Sequence, residues 1–495
     1  MEGVYFFGEH LRWNLGWENP NQAGAFIATL IPWLWGTSLS MAARDWRSHL
    51  TRIILLGGEL SLWFLLCKTY SRGALVAALL SGVILSGVVF RLRHRGGDRV
   101  PKSSVSFDRG LTAARLLGLV ILIAATGFFA RVDPRFISQD ASTGNRWILW
   151  KGGLQMIAVS PWSGWGEGQS GINFTQWFQP FDAHERYLGM VNSYLHVAVE
   201  RGLPVLALFL FLAISLLLFA FSTARDAMSA TSSPMRQRMA LLVLGAGSSI
   251  LSFLVANVFS TLWIFGKLWY VPAIAACIVL SGIAFLPARR WRSIGISTAL
   301  SLPTACCAVL LIYLGGHLLP HDVEVTRTRS GSITLTAAGA SKPGHGEKSI
   351  IVLPDSSVLG DSYGKELRRL ILAAPATGLS IHVPDNARNW SPDSHSAPVS
   401  ILACGDRFPE GFELVSRWPG TSLFLVHPTG KPRLPETVPS QVLVLLPSLD
   451  TTGSSRAWKK LTSLHPEWKF ATSPGVGQDI RQAWPDSLFF LWKIS

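Results

Sequence analysis

The sequence predicts an α-helical polytopic membrane bundle of about eight transmembrane helices, followed by a soluble α/β domain. Three observations carry this expectation. The 495 residues are 49% hydrophobic and only 15% charged, with a mean hydropathy of +0.32. Long apolar runs recur through the first two thirds of the chain, each near the length a bilayer requires. After residue 320 they give way to short aliphatic strands separated by helical stretches, the pattern of a mostly parallel sheet covered on both faces.

The apolar runs lie at roughly 22–41, 51–68, 73–90, 111–130, 202–222, 239–257, 268–286 and 295–319. The net charge of +14 gathers between them. Segments 42–52, 91–110, 223–238 and 287–294 hold most of the loop Arg and Lys, among them Arg44, Arg47, Arg52, Arg91, Arg225, Arg236 and Arg290. Lys and Arg accumulate in cytoplasmic loops. The N-terminal tail 1–21, the turn at Tyr70-Ser71-Arg72, the segment 131–201, the turn near 258–267 and everything after residue 320 then face outward. The expected organisation is an extracytoplasmic tail (1–21), a membrane domain (22–320) with an extracytoplasmic loop (131–201), and an extracytoplasmic α/β domain (321–495). No N-terminal stretch reads as a cleaved signal peptide. Clustered charge without a basic, aromatic-interleaved face points to the lipid bilayer as partner and against nucleic acid. Five scattered cysteines form no disulfide framework and no metal-ligand spacing, so neither a metal nor a cofactor is expected.

The outward segment 131–201 is too long for a plain connection. It is rich in Trp and Gly, and Arg146–Val159 has helical periodicity, so it reads as an ordered cap. Within it, Gly166-Glu167-Gly168-Gln169-Ser170-Gly171 spells G-x-G-x-x-G. A dinucleotide loop must follow a strand and open a helix. This one follows a helix that Ser160-Pro161 ends, which argues against a cofactor. The glycines permit tight turns and close backbone packing, or shape the floor of a substrate groove.

Two arginines stand out beside it. Arg72 lies at the outer end of two spans, and Arg146 starts the capping helix next to Trp147. A guanidinium is a planar donor fork suited to phosphate oxygens, and arginine near the membrane plane is costly enough to suggest function. The competing explanation is snorkelling to lipid headgroups.

Four ordered pieces resemble the O-antigen ligase and O-antigen polymerase family of bacterial envelope glycosyltransferases. They are Asn19-Pro20-Asn21-Gln22-Ala23-Gly24, the turn Ser71-Arg72-Gly73, Arg146-Trp147 with Pro161-Trp162-Ser163-Gly164-Trp165-Gly166, and Asn192-Ser193-Tyr194-Leu195 continued by Glu200-Arg201-Gly202-Leu203. The similarity spans about residues 19–285. It implies a metal-independent transferase of the bacterial inner membrane. Such an enzyme moves a glycan from an undecaprenyl diphosphate carrier to lipid A core (ligase) or to another lipid-linked glycan (polymerase). The resemblance places Arg72 and Arg146 on the diphosphate, with Ser71, Asn192, Trp147 and Gly166 in the substrate site. Ligase-like members carry a His directly before the Asn of the fourth piece, where this chain has Val191. A base for the acceptor hydroxyl must then come from elsewhere: His196, one helical turn beyond Asn192, Glu200 or His184.

In the C-terminal part, strands are expected at Ser349–Leu353, Leu379–Val383, Val399–Ala403, Leu423–Val426, Gln441–Leu446 and Leu488–Trp492, with helices at Lys365–Ala373, Ser455–Ser463 and Gln478–Trp484. This domain is similar to SGNH-like or flavodoxin-like folds. Gly360-Asp361-Ser362-Tyr363-Gly364 spells G-x-S-x-G, but no strand runs directly into it, and the closing Asp-x-x-His of SGNH hydrolases is absent. The stretch reads as a helix cap, in a domain that binds glycan or envelope-assembly proteins. The alternatives to a transferase are a non-catalytic relative acting as an envelope-assembly scaffold, and a lipid-linked sugar transporter.

Overall fold

Asn19 opens the first long helix: its side chain accepts hydrogen bonds from the backbone N–H groups of Asn21 and Gln22, and Pro20 occupies the first helical turn. Both choices satisfy or remove N–H groups a helix start leaves orphaned. The computed structural model describes residues 5–7, 10–41, 45–95, 102–126, 141–183, 187, 189–227, 233–262, 270–281, 290–328, 332–338, 349–354, 363–373, 379–384, 400–418, 421–426, 428, 442–447, 454–466 and 468–473. The chain forms two units.

The first unit comprises 1–157, 161–167 and 189–315. It is helical apart from a small antiparallel pair, β1 (Tyr5–Phe7) and β2 (His10–Arg12). Its helices are α1 (Pro20–Ser40), α2 (Trp46–Thr69), α3 (Arg72–Arg95), α4 (Lys102–Ala125), α5 (Ala141–Val159), α7 (Ser193–Arg201), α8 (Leu203–Ala227), α9 (Pro234–Phe259), α10 (Tyr270–Ser281) and α11 (Arg290–Leu318). Among the described residues, five helices are long and apolar enough to cross a membrane: Trp46–Thr69, Arg72–Arg91, Leu203–Arg225, Met235–Phe259 and Thr298–Leu318. Of the eight expected runs, two appear as shorter apolar helices, Gly110–Ala125 and Tyr270–Ser281. The remaining one, α1, is rich in small and polar residues and mostly buried.

The burial of α1 explains its composition. A helix surrounded by other helices gains from close backbone approach and interhelical hydrogen bonds rather than from apolar bulk. A Cβ added at Gly36 would lie 2.4 Å from Gly245 Cα of α9. The hydroxyls of Ser249 and Ser252 donate to the carbonyls of Thr29 and Ala28, at 2.6 and 2.8 Å. On another flank, α4 is tied in by charge. Arg115 donates from Nε to Glu59 Oε2 at 2.8 Å and from Nη2 to Ser38 Oγ at 3.1 Å, and its guanidinium lies over Trp35. Both charged side chains are almost fully buried. Arg52, expected among the cytoplasmic loop cations, lies in the second turn of α2 and is buried too.

The second unit comprises 158–160, 168–188 and 316–495. Its strands are β3 (Val323–Arg327), β4 (Ile333–Ala337), β5 (Ser349–Leu353), β6 (Ser380–Val383), β7 (Ser400–Cys404), β8 (Ser422–Val426), β9 (Val442–Pro447) and β10 (Lys469–Ser473). They form one sheet in the order β10-β9-β8-β7-β5-β6-β4-β3. From β6 to β10 neighbours are parallel; β3 and β4 join as an antiparallel edge. Counting β5 as first, the parallel strands run 2-1-3-4-5-6 across the sheet, a doubly wound order. Every residue of β5 and of β7 is buried, as a strand covered on both faces requires. The helices are α12 (Tyr363–Ala373), α13 (Phe408–Arg417) and α14 (Ser454–Leu464), and Phe408, Phe412, Trp458 and Trp468 fill the core against β5, β7, β8 and β9.

Five of the six expected strands are present to within a residue or two. The sixth, Leu488–Trp492, and the expected helix Gln478–Trp484 lie outside the described residues. The β3–β4 edge, β10 and α13 were not anticipated, although Val323/Val325 and Ile333/Leu335 do alternate in burial. One division differs from the sequence pattern. The chain passes from the first unit to the second after Glu167 and returns at Gly189, so a piece of the segment 131–201 joins the sheet unit. That piece contains α6 (Ser170–Asn173) and one π-helical turn, Phe174–Phe178.

Candidate functional site

The four sequence pieces meet at one end of the helical unit. The first meets the second through Gly24, where an added Cβ would lie 2.9 Å from Ser71 Cβ and 3.0 Å from Ala74 Cβ and Thr69 Oγ1. Arg12 braces this junction, donating to the carbonyl of Thr69 and to Asn21 Oδ1, each at 3.0 Å. Tyr70, between α2 and α3, adopts the left-handed conformation at φ +51°. That lets the chain reverse and start α3 with Arg72. Ser71 is buried, so it serves the turn. Gly73 sits against Phe259 at the end of α9, where a Cβ would come within 2.4 Å.

Arg72 donates from Nη2 to Thr143 Oγ1 at 3.0 Å. Thr143 lies three residues before Arg146 on α5, so it shares a helix face with it. The bond therefore brings the first predicted arginine to the face that carries the second. Thr143 is the residue sequence reading missed; a hydroxyl three residues before an arginine is too common to signal itself. Arg146 is half-buried, while Trp147 and Trp162 are exposed.

The glycine-rich stretch holds the third piece onto the fourth. Trp165 N–H donates to the Val199 carbonyl at 2.7 Å, Gly166 N–H to the Glu200 carbonyl at 3.1 Å, and Leu203 N–H to the Pro161 carbonyl at 2.7 Å. Gly164, Gly166, Gly168 and Gly202 all have positive φ, where a Cβ is strained. An added Cβ at Gly164 would lie 2.5 Å from Glu200 O, and at Gly202 2.2 Å from Trp162 O. The stretch is a backbone clasp on the C-terminal end of α7, and it follows a helix, Ala141–Val159, rather than a strand.

Asn192 caps α7, its Oδ1 accepting from Tyr194 N–H and Leu195 N–H. Ser193 links this cap to the end of α9: its hydroxyl donates to the Ser260 carbonyl at 3.0 Å and accepts from Leu262 N–H at 2.8 Å. Tyr194 donates to the Leu254 carbonyl at 2.7 Å, and burial pushes its phenol well above the usual range. Val191, directly before this cap, adopts φ +48°. A β-branched residue there is a true backbone outlier, and such strain concentrates at functional sites.

His196 and Glu200 face each other one turn apart, His196 Nε2 to Glu200 Oε2 at 3.3 Å, both deeply buried. Burial pushes the imidazole below its ordinary pKa, and the Glu200 carboxylate pulls it partly back. A Cβ at Gly189 would touch His196 Nδ1 at 3.2 Å. Glu200 therefore pairs with His196, while Arg201 pairs with Glu167 at 2.7 Å on the surface. Of the predicted residues, Ser71, Arg72, Arg146, Trp147, Gly166, Asn192, His196 and Glu200 thus belong to one end of the helical unit. His184 lies outside the described residues.

These features define a polytopic membrane protein whose polar chemistry is concentrated where its connecting turns meet. Residues 59–210, from the buried Glu59 of α2 to the first turns of α8, match the O-antigen ligase family model. The matched segment contains Arg72, Arg146, the glycine clasp, Asn192, His196 and Glu200. No curated protein and no solved structure matches the chain.

Proposed function

We propose that the protein is a glycan polymerase of this family. It transfers a glycan from an undecaprenyl diphosphate carrier to the growing end of another lipid-linked glycan, on the outer face of the bacterial inner membrane. The observation that carries the reading is the Arg72–Thr143 bond, which ties Arg72 to the helix that carries Arg146, one turn before it. In the transfer step, the acceptor hydroxyl oxygen bonds to the anomeric carbon as the bond to the diphosphate oxygen breaks. The departing diphosphate gains negative charge, and fixed guanidinium donors stabilise it, so the step calls on no metal ion. Neutral His196, oriented by Glu200, takes the hydroxyl proton.

Val191 favours polymerase over ligase, because the ligase-like members keep a His there. The cationic loops support eight spans and an outward C-terminal domain of flavodoxin-like strand order. The buried Glu59–Arg115 pair is the observation that favours a transporter. Its opposite charges pair directly with each other, away from the motif end, which fits a structural tie better than a transport path.

The test is transfer by the purified chain in vesicles, with an undecaprenyl diphosphate-linked glycan as donor. Acceptors are a second such glycan or lipid A core. A ladder of lengthened lipid-linked glycans is expected. Glycan on lipid A core alone would make the chain a ligase, and no product with either acceptor would favour the scaffold reading.

A further inference from the structure

The segment 168–183 is held by α12 of the sheet unit. Gly364 lies so close that an added Cβ would come within 2.7 Å of the Gln176 carbonyl and 2.9 Å of the Trp177 ring. One residue on, Lys365 Nζ donates to the Ala183 carbonyl at 2.9 Å. Another turn on, Arg368 donates to the Gln179 carbonyl, and the guanidinium groups of Arg368 and Arg369 lie 5.0 and 5.4 Å from the Phe181 ring. Lys365 and Arg368 are themselves buried. Burial lowers the Arg368 pKa to about 10, with Asp322 opposing the shift, so the side chain stays charged at neutral pH. Meanwhile Leu367, Leu370 and Ile371 are buried apolar positions on the same helix.

These contacts give the G-x-S-x-G stretch a purpose that needs no nucleophile. Its last glycine, Gly364, is where the backbone of the loop passes against the helix, and any side chain would occupy that space. Two carbonyls of the loop, at Gln179 and Ala183, accept from Arg368 and Lys365 of α12, while Gly364 leaves room for the Gln176 carbonyl. Carbonyls of an irregular segment need such partners once they leave water.

The ends of the held segment are short. One end is Gly168, next to Glu167 and the clasp on α7; the other leads to Gly189 and Met190, directly before Val191 and Asn192. Gly189 also lies beside the His196 ring, where an added Cβ would come within 3.2 Å of Nδ1. We infer that the C-terminal domain is a clamp that fixes segment 168–183, and through it positions the acceptor side of the transfer site. This rests on the transfer reading above, in which Arg72 and Arg146 take the donor diphosphate and His196 serves the acceptor hydroxyl. Gly364, Lys365 and Arg368 are then positioning residues.

The test uses the full chain in lipid vesicles, with Gly364→Phe in one variant and Lys365→Ala with Arg368→Ala in another. Amide hydrogen exchange of residues 174–183 is compared with that of β5 and β7, and steady-state transfer is measured with donor and acceptor varied separately. The clamp predicts exchange at 174–183 at least about tenfold faster, with β5 and β7 unchanged. It predicts an acceptor KM raised about fivefold or more while the donor KM stays within about twofold. Arg368→Lys, which keeps the charge, should recover part of the loss. Should Gly364→Phe also loosen the strands, the alanine variant decides. Unchanged exchange in the alanine variant overturns the clamp. Faster exchange with both KM values unchanged overturns the positioning role. A wild type without transfer sinks the transfer reading and with it the positioning role, and the exchange arm still decides whether the clamp exists.

Discussion

Gly164→Ala tests whether the glycine-rich stretch is a backbone clasp. The new Cβ would stand 2.5 Å from both the carbonyl carbon and the oxygen of Glu200, and 2.7 Å from Arg201 N. These are backbone atoms of a helix and cannot swing aside, so the turn must recede by roughly 1 Å to reach ordinary contact. The residue sits at φ +66°, where a non-glycine residue costs about 1–2 kcal/mol. Receding also loosens the Trp165–Val199 and Gly166–Glu200 hydrogen bonds, worth about 1 kcal/mol each. The local cost comes to about 3–4 kcal/mol. Gly168→Ala is the internal control: φ is +71°, but nothing lies within 4 Å of the new Cβ, so only the conformational cost of about 1–2 kcal/mol remains. Transfer at matched protein levels and thermal unfolding in detergent should both rank wild type, then Gly168→Ala, then Gly164→Ala. Because the clasp holds the helix of His196 and Glu200, a shift of about 1 Å should lower transfer on the order of a hundredfold. Equal effects of the two substitutions would refute the clasp. A larger effect at Gly168 would revive a ligand-cradling loop.

Two further outcomes are expected. Glu59→Leu or Arg115→Leu alone should destabilise the protein by about 3–5 kcal/mol, because each strands a buried charge, whereas the double substitution should recover most of the loss; melting of the three variants in detergent checks this, and additive losses would contradict it. His196, the base in the proposed transfer, would act in its neutral form, and burial lowers its pKa from the ordinary 6.5. Transfer should therefore rise with pH through an apparent pKa below that value and stay flat above it. The sign for stability is the same: a depressed folded pKa contributes fully above the unfolded value and is lost as pH falls through the folded one. A pH–rate profile of wild type and His196→Gln checks this, and an acid limb that persists in His196→Gln would assign it to another group.

The helical class was legible because bilayer length and charge bias act on single segments. The run at 22–41 forms the helix α1, where Gln22, Thr29, Ser38 and Ser40 are buried among other helices and dilute the apolar signal. Arg115 was passed over for a similar reason: a lone arginine near one end of an apolar run carries no sign that Glu59, 56 residues earlier, neutralises it. At the site, Arg72, Arg146, Asn192 and the glycines could be read because their residue types have narrow uses. The bond from Arg72 to Thr143, and that of Ser193 to the end of α9, depend on long-range packing and left no local pattern. The same holds for Gly364, whose motif pointed to a serine while its structural role belongs to the glycine.

The most direct test of the account is glycan transfer in membranes of cells lacking their own enzyme, supplied with an undecaprenyl diphosphate-linked glycan. Wild type, Arg72→Ala and Arg146→Ala are compared at matched protein levels. The account predicts that transfer falls at least about tenfold in each variant, equivalent to about 1.4 kcal/mol of lost transition-state stabilisation. Transfer unchanged in both variants would contradict it.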